Sequence, residues 1–385
     1  MNDPINKNLE TSSPQIPRFI SRRLVGFISI LFIFIIGWNT LSMVESDIKD
    51  KLGQRLKASL KLLTENLKSW KTKELAEVEL WVQDPEVKKH ALELAASFEK
   101  EGNSKSQILN SPGLSGLREK LFPQVKQGND IGFIVFLPSG FQIAAHSDEF
   151  IARSGIADLA GPVIADAFQG RSGVSLPFLL NEGFAENGKS HVGEYAQLSA
   201  APIQDNNGKI VAVLSILKNP RTGFMPILEL GSYGKKGEAY AFDANGLMVS
   251  ESRFPNELKD LGILPDQTSA MLKLEIREPG SKDSTLGIGS GEKRPPFTKM
   301  AGSALKGERG LNVDGYRGYR GERVVGAWAW LDDVGLGIAV EQDAKEAFAL
   351  LSRLRVVFVF VFSLLVFLFL FFLFRRWQEK NIQKN

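Results

Sequence analysis

Alternating apolar residues on either side of short polar turns predict two β-hairpins, one in each half of the chain. The first covers residues 131–146 (IGFIVFLPSGFQIAAH) and the second covers residues 234–253 (GKKGEAYAFDANGLMVSESR). The Asn-Gly link of the second, between two β-prone runs, is the strongest hairpin signal that a short stretch of sequence gives. Two such hairpins predict two related modules.

Each opening hairpin is followed by a longer insertion and then by a closing hairpin. The closing hairpins cover residues 193–218 and 323–342, and they turn at DNNG (205–208) and DDVG (332–335). A strand pair, an insertion and a second strand pair are typical of a small antiparallel sheet with helices on one side. The sequence therefore predicts an α+β fold with one module repeated.

A long stalk helix is predicted before the first module. Its apolar residues recur three or four positions apart, which describes one face of a helix. This face must pack either on the modules of its own chain or on the same helix of a second subunit. The apolar stalk positions are Ile48, Leu52, Leu56, Leu60, Leu63, Leu67 and Trp70, extended after a slip by Leu75, Val78 and Val82.

Shorter helices are predicted around the modules. Asp84, Pro85 and Glu86 provide an N-cap, a proline at the first helical position and an acidic first turn, so a second helix begins at Pro85. The first insertion is predicted to hold one helix over residues 156–169. In the second module, residues 278–297 predict a long loop or lid, and a final helix over residues 344–355 is expected to run into the segment that follows.

Two uncharged apolar segments flank the modules. Residues 24–44 and 356–374 contain 21 and 19 residues without a charged side chain, and each is long enough to cross about 30 Å of hydrocarbon as a helix. A cleavable signal peptide is the alternative for the first segment, but its apolar run is longer than such peptides carry and it lacks a small-x-small exit. Both segments are therefore interpreted as transmembrane helices.

The flanking charges orient these helices. Arg18, Arg22 and Arg23 precede the first segment, and Arg375 and Arg376 follow the second. The positive-inside rule places both termini in the cytoplasm and the modules outside. Two arginines on the outer flank of the second segment, Arg353 and Arg355, oppose this orientation. The expected location is the inner (cytoplasmic) membrane, with two passes and an extracytoplasmic, periplasmic ectodomain.

Four stretches carry a family resemblance. Residues 166–178 (DAFQGRSGVSLPF), 199–214, 231–253 and 324–348 follow one another in the order that is typical of the family. Over roughly residues 45–352, the chain resembles the double Cache (dCache) extracytoplasmic sensors of bacterial signalling proteins. The resemblance implies two PAS-like Cache modules in tandem after the stalk helix, and a small-molecule ligand.

The predicted divisions of the chain follow from these elements. They are a cytoplasmic tail (1–23), transmembrane helix 1 (24–44), the stalk and helical N-terminal region (45–125), a membrane-distal Cache module (126–222), a membrane-proximal Cache module (223–350), transmembrane helix 2 (356–374) and a short cytoplasmic tail (375–385).

Charge and residue inventory exclude several function classes. The net charge of +3 is too small to favour nucleic acid as a partner, and no basic stripe with interleaved aromatic residues occurs. Cysteine is absent, which excludes disulfides and thiolate chemistry. No catalytic or phosphate-binding motif is present, so neither enzymatic activity nor a cofactor is expected.

The chain has three histidines, His90, His146 and His191. Two pairs could together coordinate a metal ion, His146 with Asp148 and His191 with Glu194, but only if the two hairpins of the first module bring them together. Partly exposed histidines at strand ends are the preferred interpretation. No metal site is predicted.

Ligand candidates are polar residues expected to face the space between sheet and insertion. On strand 194–201 the odd positions share one face by period-two alternation, and Arg153 or Arg171 is suited to clamp a carboxylate in a bidentate manner. The candidates in the first module are His146, Arg153, Arg171, Ser172, Tyr195, Gln197 and Ser199; those of the second module are Tyr240 and Arg253, with Ser250, Trp328 and Trp330 as further analogues.

The amino-acid specificity of the family is not carried over. Cache sensors for amino acids have an Arg-x-Trp-Tyr element in the distal module, and the corresponding stretch here, FIARSGIADLAGP (150–162), contains neither Trp nor Tyr. The identity of the ligand is left open.

The sequence favours a membrane-anchored sensor that binds a small solute and signals through its transmembrane helices. The chain ends 11 residues after Phe374, so we expect either that a separate signalling protein, cytoplasmic or in the membrane, reads that signal, or that the sequence is a fragment or shortened relative of a receptor. A homodimer formed through the stalk helix is expected. The alternative is a structural or assembly protein whose Cache-like ectodomain binds another envelope protein.

Overall fold

The computed structural model describes residues 18–101, 104–128, 130–180, 185–186, 189–190, 193–266, 268–279 and 295–382. Within these residues the chain forms two compact units. One lies within Met1–Lys51 and Ala347–Asn385, and the other is Leu52–Glu346.

The first unit contains the two apolar segments. The first segment belongs to α1 (Arg18–Gln83), and the second belongs to α11 (Ala349–Ile382). Both helices are long and apolar enough to cross a membrane, and their large apolar side chains are exposed. Lipid is the environment in which such exposure carries no cost.

The apolar segments of α1 and α11 pack against each other. The rings of Phe34 and Phe362 lie 4.9 Å apart between centroids, and Gly37 leaves room for the ring of Phe358. Arg355 donates a hydrogen bond to Glu45. Small residues at the interface and a polar contact near the end are typical of helix pairs in membranes.

The second unit begins with the stalk part of α1, and the predicted apolar face is confirmed. Leu56, Leu63 and Leu67 are completely buried. A Cβ at Gly231 would lie 2.6 Å from Leu63 and 2.8 Å from Ala239. The stalk therefore packs on the modules of its own chain, which was one of the two alternatives.

The remaining helices surround two sheets. Asp84 Oδ1 accepts hydrogen bonds from the backbone N–H groups of Glu86 and Val87, which confirms the predicted start of α2. The helices are α2 (Pro85–Glu101), α3 (Lys105–Leu109), α4 (Pro112–Gln127), a short 3-10 helix (Asp148–Phe150), α5 (Gly155–Leu159), α6 (Pro162–Phe168), α7 (Phe224–Glu229), α8 (Pro255–Asp260), α9 (Lys299–Ala304) and α10 (Ala344–Ala347).

Two predicted helices are each divided in the structure. The helix expected over 156–169 is interrupted at Gly161, which has φ +65° and precedes Pro162, the first residue of α6. Proline disfavours the helical conformation in the residue before it, so the two residues together end α5. The final helix is also not continuous, because Phe348 separates α10 from α11.

The first module contains a six-stranded antiparallel sheet. Its main path runs in the order β2-β1-β8-β7-β3, and β4 pairs with β7 beside that path. The strands are β1 (Gly132–Phe136), β2 (Gln142–Ala145), β3 (Gly173–Val174), β4 (Phe178–Leu179), β7 (Tyr195–Gln204) and β8 (Ile210–Lys218); β5 (Ala185–Glu186) and β6 (Lys189–Ser190) form a separate pair.

The second module contains a four-stranded antiparallel sheet in the order β10-β11-β12-β9. Its strands are β9 (Gly237–Phe242), β10 (Gly310–Arg317), β11 (Arg323–Leu331) and β12 (Leu336–Asp343). The predicted lid over 278–297 lies mostly outside the described residues.

Three of the four predicted hairpins form as expected, namely β1 with β2, β7 with β8, and β11 with β12. In the fourth, the turn forms: Asp243 Oδ1 accepts hydrogen bonds from the N–H groups of Asn245 and Leu247. Its second arm, however, pairs only through single bridges, Phe242 with Met248 and Leu247 with Glu275. The predicted α+β class, with a long N-terminal helix, a C-terminal apolar helix and two antiparallel sheets, is confirmed.

Candidate functional site

The two faces of the first sheet are distinguished by what covers them. A Cβ at Gly173 would lie 3.1 Å from Val163 of α6, so the face to which Gly173 belongs is covered by α6. We call this face the first-module cup. Residues directly opposite in adjacent strands share a face, and Gly173 pairs with Ala200, Ala200 with Ser215, and Ser215 with Ile134.

Gln142 lies on the same face. It pairs with Phe136, and Phe136 pairs with Val213, two residues from Ser215 on β8. Side chains alternate along a strand, so Val213 and Ser215 point to one side and Gln142 points with them. A register shift beside Phe136 places one extra residue in β2, as in a β-bulge.

Two polar side chains in the cup are completely buried and have no hydrogen-bond partner among the residues that the structure describes. They are Gln142, in which both the amide oxygen and the amide nitrogen lack a partner, and Ser215, in which the hydroxyl lacks one. A buried polar group without a partner costs free energy comparable to a lost hydrogen bond. A bound molecule or water that supplies the missing donors and acceptors removes that cost.

The backbone around Gln142 is tightly held. Its N–H donates to the carbonyl of Arg153 at 2.7 Å, and its carbonyl accepts from the N–H of Ala152 at 3.0 Å. Ala152 has φ +65°, a conformation that costs a non-glycine residue free energy and is enriched at functional sites. The structure thus places the predicted residue Arg153, which is half-buried, next to Gln142 along the backbone.

His146, another predicted residue, also lies on the cup face. A Cβ at Gly132 would overlap its ring, and Gly132 pairs with Leu217, two residues from Ser215. The ring centroid lies 5.5 Å from that of Phe150. Gln142, Ser215 and His146 therefore share one face of the sheet.

The predicted residues of β7 lie on the opposite face. Gln197 pairs with Lys218 and Ser199 pairs with Ile216, while the neighbouring residue Ser215 faces the cup. The amide nitrogen of Gln197 donates to the carbonyl of Ser175 at 2.8 Å. Ser199 is buried, and no described residue forms a hydrogen bond with its hydroxyl.

Tyr195 connects the two modules. Its hydroxyl donates to the carbonyl of Met271 in the second module at 3.1 Å, and the guanidinium of Arg221 lies 5.4 Å from its ring centroid. The predicted common face of residues 195, 197 and 199 exists, but it is the face opposite the cup, and Tyr195 contacts the second module from it.

Arg171 is held at the surface by the end of α6. Its guanidinium contacts Asp166 at 2.5 Å and Gln169 at 2.6 Å, and its side chain is exposed. Ser172 follows it and is half-buried. The structure does not bring these two residues to Gln142.

A charged cluster joins the first sheet to α1. The ammonium group of Lys218 lies 2.7 Å from Glu74, 2.6 Å from Glu77 and 3.7 Å from Asp130. Burial raises the pKa of the Asp130 carboxyl to about 7; Lys218 lowers it, and the two glutamates raise it. The cluster ties the end of β8 to the stalk helix.

A groove of about 440 Å³ lies elsewhere in the first module, between the N-terminal helices and Ile143. Its polar lining includes Ser104, which caps α3, and Ser111, which caps α4. None of the predicted ligand residues lines it.

In the second module, the face of the sheet that carries Tyr240 packs against α8 and α9 in one hydrophobic core. We call it the second-module cup. Two buried glutamates lie on it, Glu238 of β9 and Glu341 of β12, which pair directly across the strands. The hydroxyl of Tyr240 donates to Glu341 at 2.9 Å.

The predicted residues Tyr240 and Arg253 are therefore brought to one polar network. The backbone N–H of Arg253 donates to Glu238 at 2.8 Å, and its guanidinium donates to the carbonyls of Gly237 and Gly234. Trp328 is buried in the same core, in keeping with a core role for this residue.

Sequence reasoning missed Gln142, Ser215, Glu238 and Glu341. A signal existed for all four, because each is a polar residue inside an otherwise apolar stretch: FQIAAH, VAVLSILK, GEAYAF and GIAVEQ. Their orientation toward the cups follows only from the strand register. Among the residues that the structure describes, no group of three His, Asp or Glu side chains is arranged to hold a metal ion; His191 lies outside them.

No protein-family model and no curated protein sequence matches the chain. Solved structures do. The sensor domain of the V. cholerae histidine kinase DctB is 13% identical, covers 76% of this chain and 98% of its own, and has a TM-score of 0.49. The periplasmic sensory domain of the Campylobacter jejuni chemoreceptor Tlp1 is 14% identical, covers 78% and 98%, and has a TM-score of 0.45.

A third similar structure is the ligand-binding domain of the Pseudomonas aeruginosa PAO1 amino acid chemoreceptor PctB in complex with L-Arg, at 12% identity, 79% and 98% coverage and a TM-score of 0.39. Over about three quarters of its length the chain is similar to sensor domains of bacterial kinases and chemoreceptors, and its own elements have the arrangement that the resemblance to double Cache sensors implied.

Proposed function

We propose that the chain is a two-pass sensor of the inner membrane. Its extracytoplasmic ectodomain binds a small polar solute in the first-module cup. Binding changes the arrangement of the modules and of the stalk helix, and a separate cytoplasmic or membrane protein reads the change through the transmembrane helices. The sensor acts as a homodimer through the stalk.

The observation that carries this proposal is the Gln142 amide. It is completely buried, and neither its oxygen nor its nitrogen has a hydrogen-bond partner in the described part of the chain. An amide offers two N–H donors and one acceptor oxygen with two lone pairs. A solute that satisfies the Gln142 amide must therefore both accept and donate hydrogen bonds. Ser215 adds a hydroxyl on the same face. A small solute with carbonyl or carboxylate oxygens and a hydroxyl or amino group fits this requirement.

The surroundings of Gln142 support a solute site. Arg153 follows Ala152, whose backbone conformation is strained, and His146 lies on the same sheet face. A strained backbone, a buried unpaired amide and two ionisable side chains near one strand end are features that folding alone does not favour.

Transmission is supported by the contacts of α1 within the second unit. The first module holds α1 through Lys218 with Glu74 and Glu77. The second module holds it through Tyr233, which is hydrogen-bonded to Ser59. Since α1 is one uninterrupted helix from Arg18 to Gln83, a displacement of either module acts on the helix that contains the first apolar segment.

The size of the signal is set by the ligand's preference between two arrangements. A solute shifts the equilibrium only by its differential affinity for them. Closure of the cup around Gln142 is the arrangement that the solute favours, because only then are the amide groups satisfied.

The experiment uses the full chain in lipid nanodiscs and follows thermal unfolding with panels of L-amino acids, small carboxylic acids and hydroxy acids. A solute that binds at about 100 times its dissociation constant stabilises the folded protein by about 2.7 kcal/mol. The stabilisation is expected to disappear in Gln142→Leu and to persist in Gln124→Leu, a matched change at an exposed glutamine of α4.

Two outcomes contradict the proposal. Stabilisation that survives in Gln142→Leu places the solute elsewhere. No stabilisation by any member of the panels, together with stable co-purification of an envelope protein, supports the assembly function instead.

A further inference from the structure

Two carboxylates are buried side by side in the second module. Glu238 and Glu341 are directly opposite on β9 and β12, and their side chains point to the same face, where Cβ atoms of such pairs are about 5 Å apart. They are 2% and 5% exposed. Charged groups are rarely buried to this extent without compensation.

Tyrosine hydroxyls surround both carboxylates. Glu341 accepts from Tyr316 at 2.6 Å and from Tyr240 at 2.9 Å. Glu238 accepts from Tyr319 at 2.7 and 2.9 Å, and it also accepts from the backbone N–H of Arg253. All of these donors are neutral, so they lower the cost of burial without balancing the charge.

The charged groups around the pair come from four elements. Arg320, in the turn between β10 and β11, carries a positive charge that lowers the pKa of both Glu238 and Glu341. Its guanidinium also pairs with Glu257 of α8 and stacks 3.9 Å over Phe254. Lys236, just before β9, also pairs with Glu257. Asp343 of β12 adds a further carboxylate on the same face.

The guanidinium of Arg253 is occupied by the carbonyls of Gly237 and Gly234. The balance around Glu238 and Glu341 is therefore negative, since the positive charge of Arg320 is already divided with Glu257. Two ionised carboxylates at this separation, out of water, repel each other strongly.

We propose that the Glu238–Glu341 pair is a pH-sensitive switch. It holds one proton when the extracytoplasmic pH is below neutral and releases it to water as the pH rises through neutral, and the second module changes conformation when the proton leaves. This input is separate from the solute input of the first module.

The electrostatics of the pair agree with this assignment. Burial raises the pKa of Glu341 to about 7, although the hydrogen bonds from Tyr316 and Tyr240 lower it and Glu238 raises it. Burial likewise raises the pKa of Glu238, against the hydrogen bond from Tyr319. One proton on the pair thus leaves near neutral pH.

Release of the proton must change hydrogen bonding. A protonated carboxyl donates to a tyrosine oxygen, whereas an ionised carboxylate only accepts. The hydroxyl groups of Tyr240 and Tyr316 then reorient, and the two charges separate to reduce their repulsion.

The strand that carries Glu341 also contacts the stalk. The next residue, Gln342, points to the other face of β12, and its side-chain oxygen accepts from Arg55 of α1. A shift of β12 that accompanies ionisation therefore acts on the stalk helix through the neighbouring residue.

The test uses the full chain in nanodiscs without added solute, so its result does not depend on the solute site. Infrared difference spectra are recorded between pH about 5 and about 9, and the carbonyl stretch of protonated carboxylic acids is followed. The wild-type band is expected to disappear with a midpoint near the pKa of about 7 assigned to Glu341. Asp130→Asn serves as the background, because Asp130 titrates in the same range.

In that background, Glu341→Gln is expected to abolish the band near neutral pH, whereas Glu119→Gln, an exposed control, leaves it unchanged. Tyr316→Phe removes a donor to the ionised carboxylate and is expected to shift the midpoint upward, which tests the assignment even if Glu341→Gln fails to fold. A band that is unchanged in both Glu341→Gln and Tyr316→Phe overturns the proposal.

Discussion

The ammonium group of Lys218 lies 2.6 Å from Oε2 of Glu77. Lys218 is the last residue of β8, so this ion pair joins the strand to the stalk helix. Lys218 also contacts Glu74 and is itself mostly buried, with 18% of its side chain exposed. Removing one partner of a buried ion pair leaves uncompensated charge, which typically costs about 3–5 kcal/mol.

We therefore expect Lys218→Met to lower the free energy of unfolding by about 3 kcal/mol, measured by urea unfolding of the full chain. Lys68 is the matched control, because it forms an ion pair of similar length with Asp333, but both side chains are more than half exposed. Lys68→Met should cost less than about 1 kcal/mol. Equal losses in the two variants would mean that the Lys218 cluster does not hold the stalk.

Gln142→Leu is expected to increase stability while it removes solute binding. The substitution removes a buried amide whose desolvation is uncompensated and therefore removes a cost of about 1–3 kcal/mol in folding free energy. Leucine is apolar and similar in length to glutamine. The measurement is the melting temperature without solute. A decrease would indicate that water or a neighbouring group already satisfies the amide in the unliganded protein.

The three hairpins that form as predicted follow from local sequence, because short turns between β-prone runs pair neighbouring strands without distant contacts. The strand order also depends on the pairing of β1 with β8 and of β9 with β12, which are far apart in the chain. The apolar spacing over residues 156–169 predicts one helix, whereas Gly161 with φ +65° and Pro162 divide it into α5 and α6. Backbone preferences at a Gly-Pro step outweigh hydrophobic periodicity.

The sites were harder to predict than the fold. The alternation of side chains along a strand correctly placed residues 195, 197 and 199 on one face of β7. Which of the two faces packs against α6 depends on how the strands pair in the sheet. Conversely, Gln142 reaches the cup through the register shift beside Phe136, which no local pattern in the hairpin indicates. Tyr240 could be chosen from sequence, whereas its partner Glu341 is about a hundred residues away and is linked to it only by the pairing of β9 with β12.

Stability is expected to fall as the pH rises from about 4.5 to about 7. The pKa values of Glu341 and Asp130 are raised from 4.5 and 3.8, respectively, to about 7, so the folded state binds more protons than the unfolded state across this window. Above about pH 7 both states are ionised at these groups and this dependence ends. Carboxyls with lowered pKa, such as Asp84 and Glu257, lose their contribution only at lower pH.

Thermal unfolding of the full chain across this range checks the sign. Glu341→Gln and Asp130→Asn should each reduce the decrease in stability with rising pH, and the double variant should remove most of this decrease. A wild-type stability that rises with pH through the window is the result that contradicts the assignment.

Leu63 and Leu62 are adjacent on the stalk helix but differ completely in environment. Leu63 is fully buried against Gly231, whereas Leu62 is 46% exposed. Leu63→Ala is expected to cost about 2–5 kcal/mol, because it leaves a cavity between α1 and the second module. Leu62→Ala should stay within about 0.5 kcal/mol in a monomer. If the stalk forms the proposed homodimer, Leu62→Ala will also weaken self-association, measured by analytical ultracentrifugation of detergent-solubilised protein. Leu63→Ala will instead lower the free energy of unfolding. If Leu62→Ala lowers the free energy of unfolding and Leu63→Ala weakens self-association, the stalk packs on its modules through the other face.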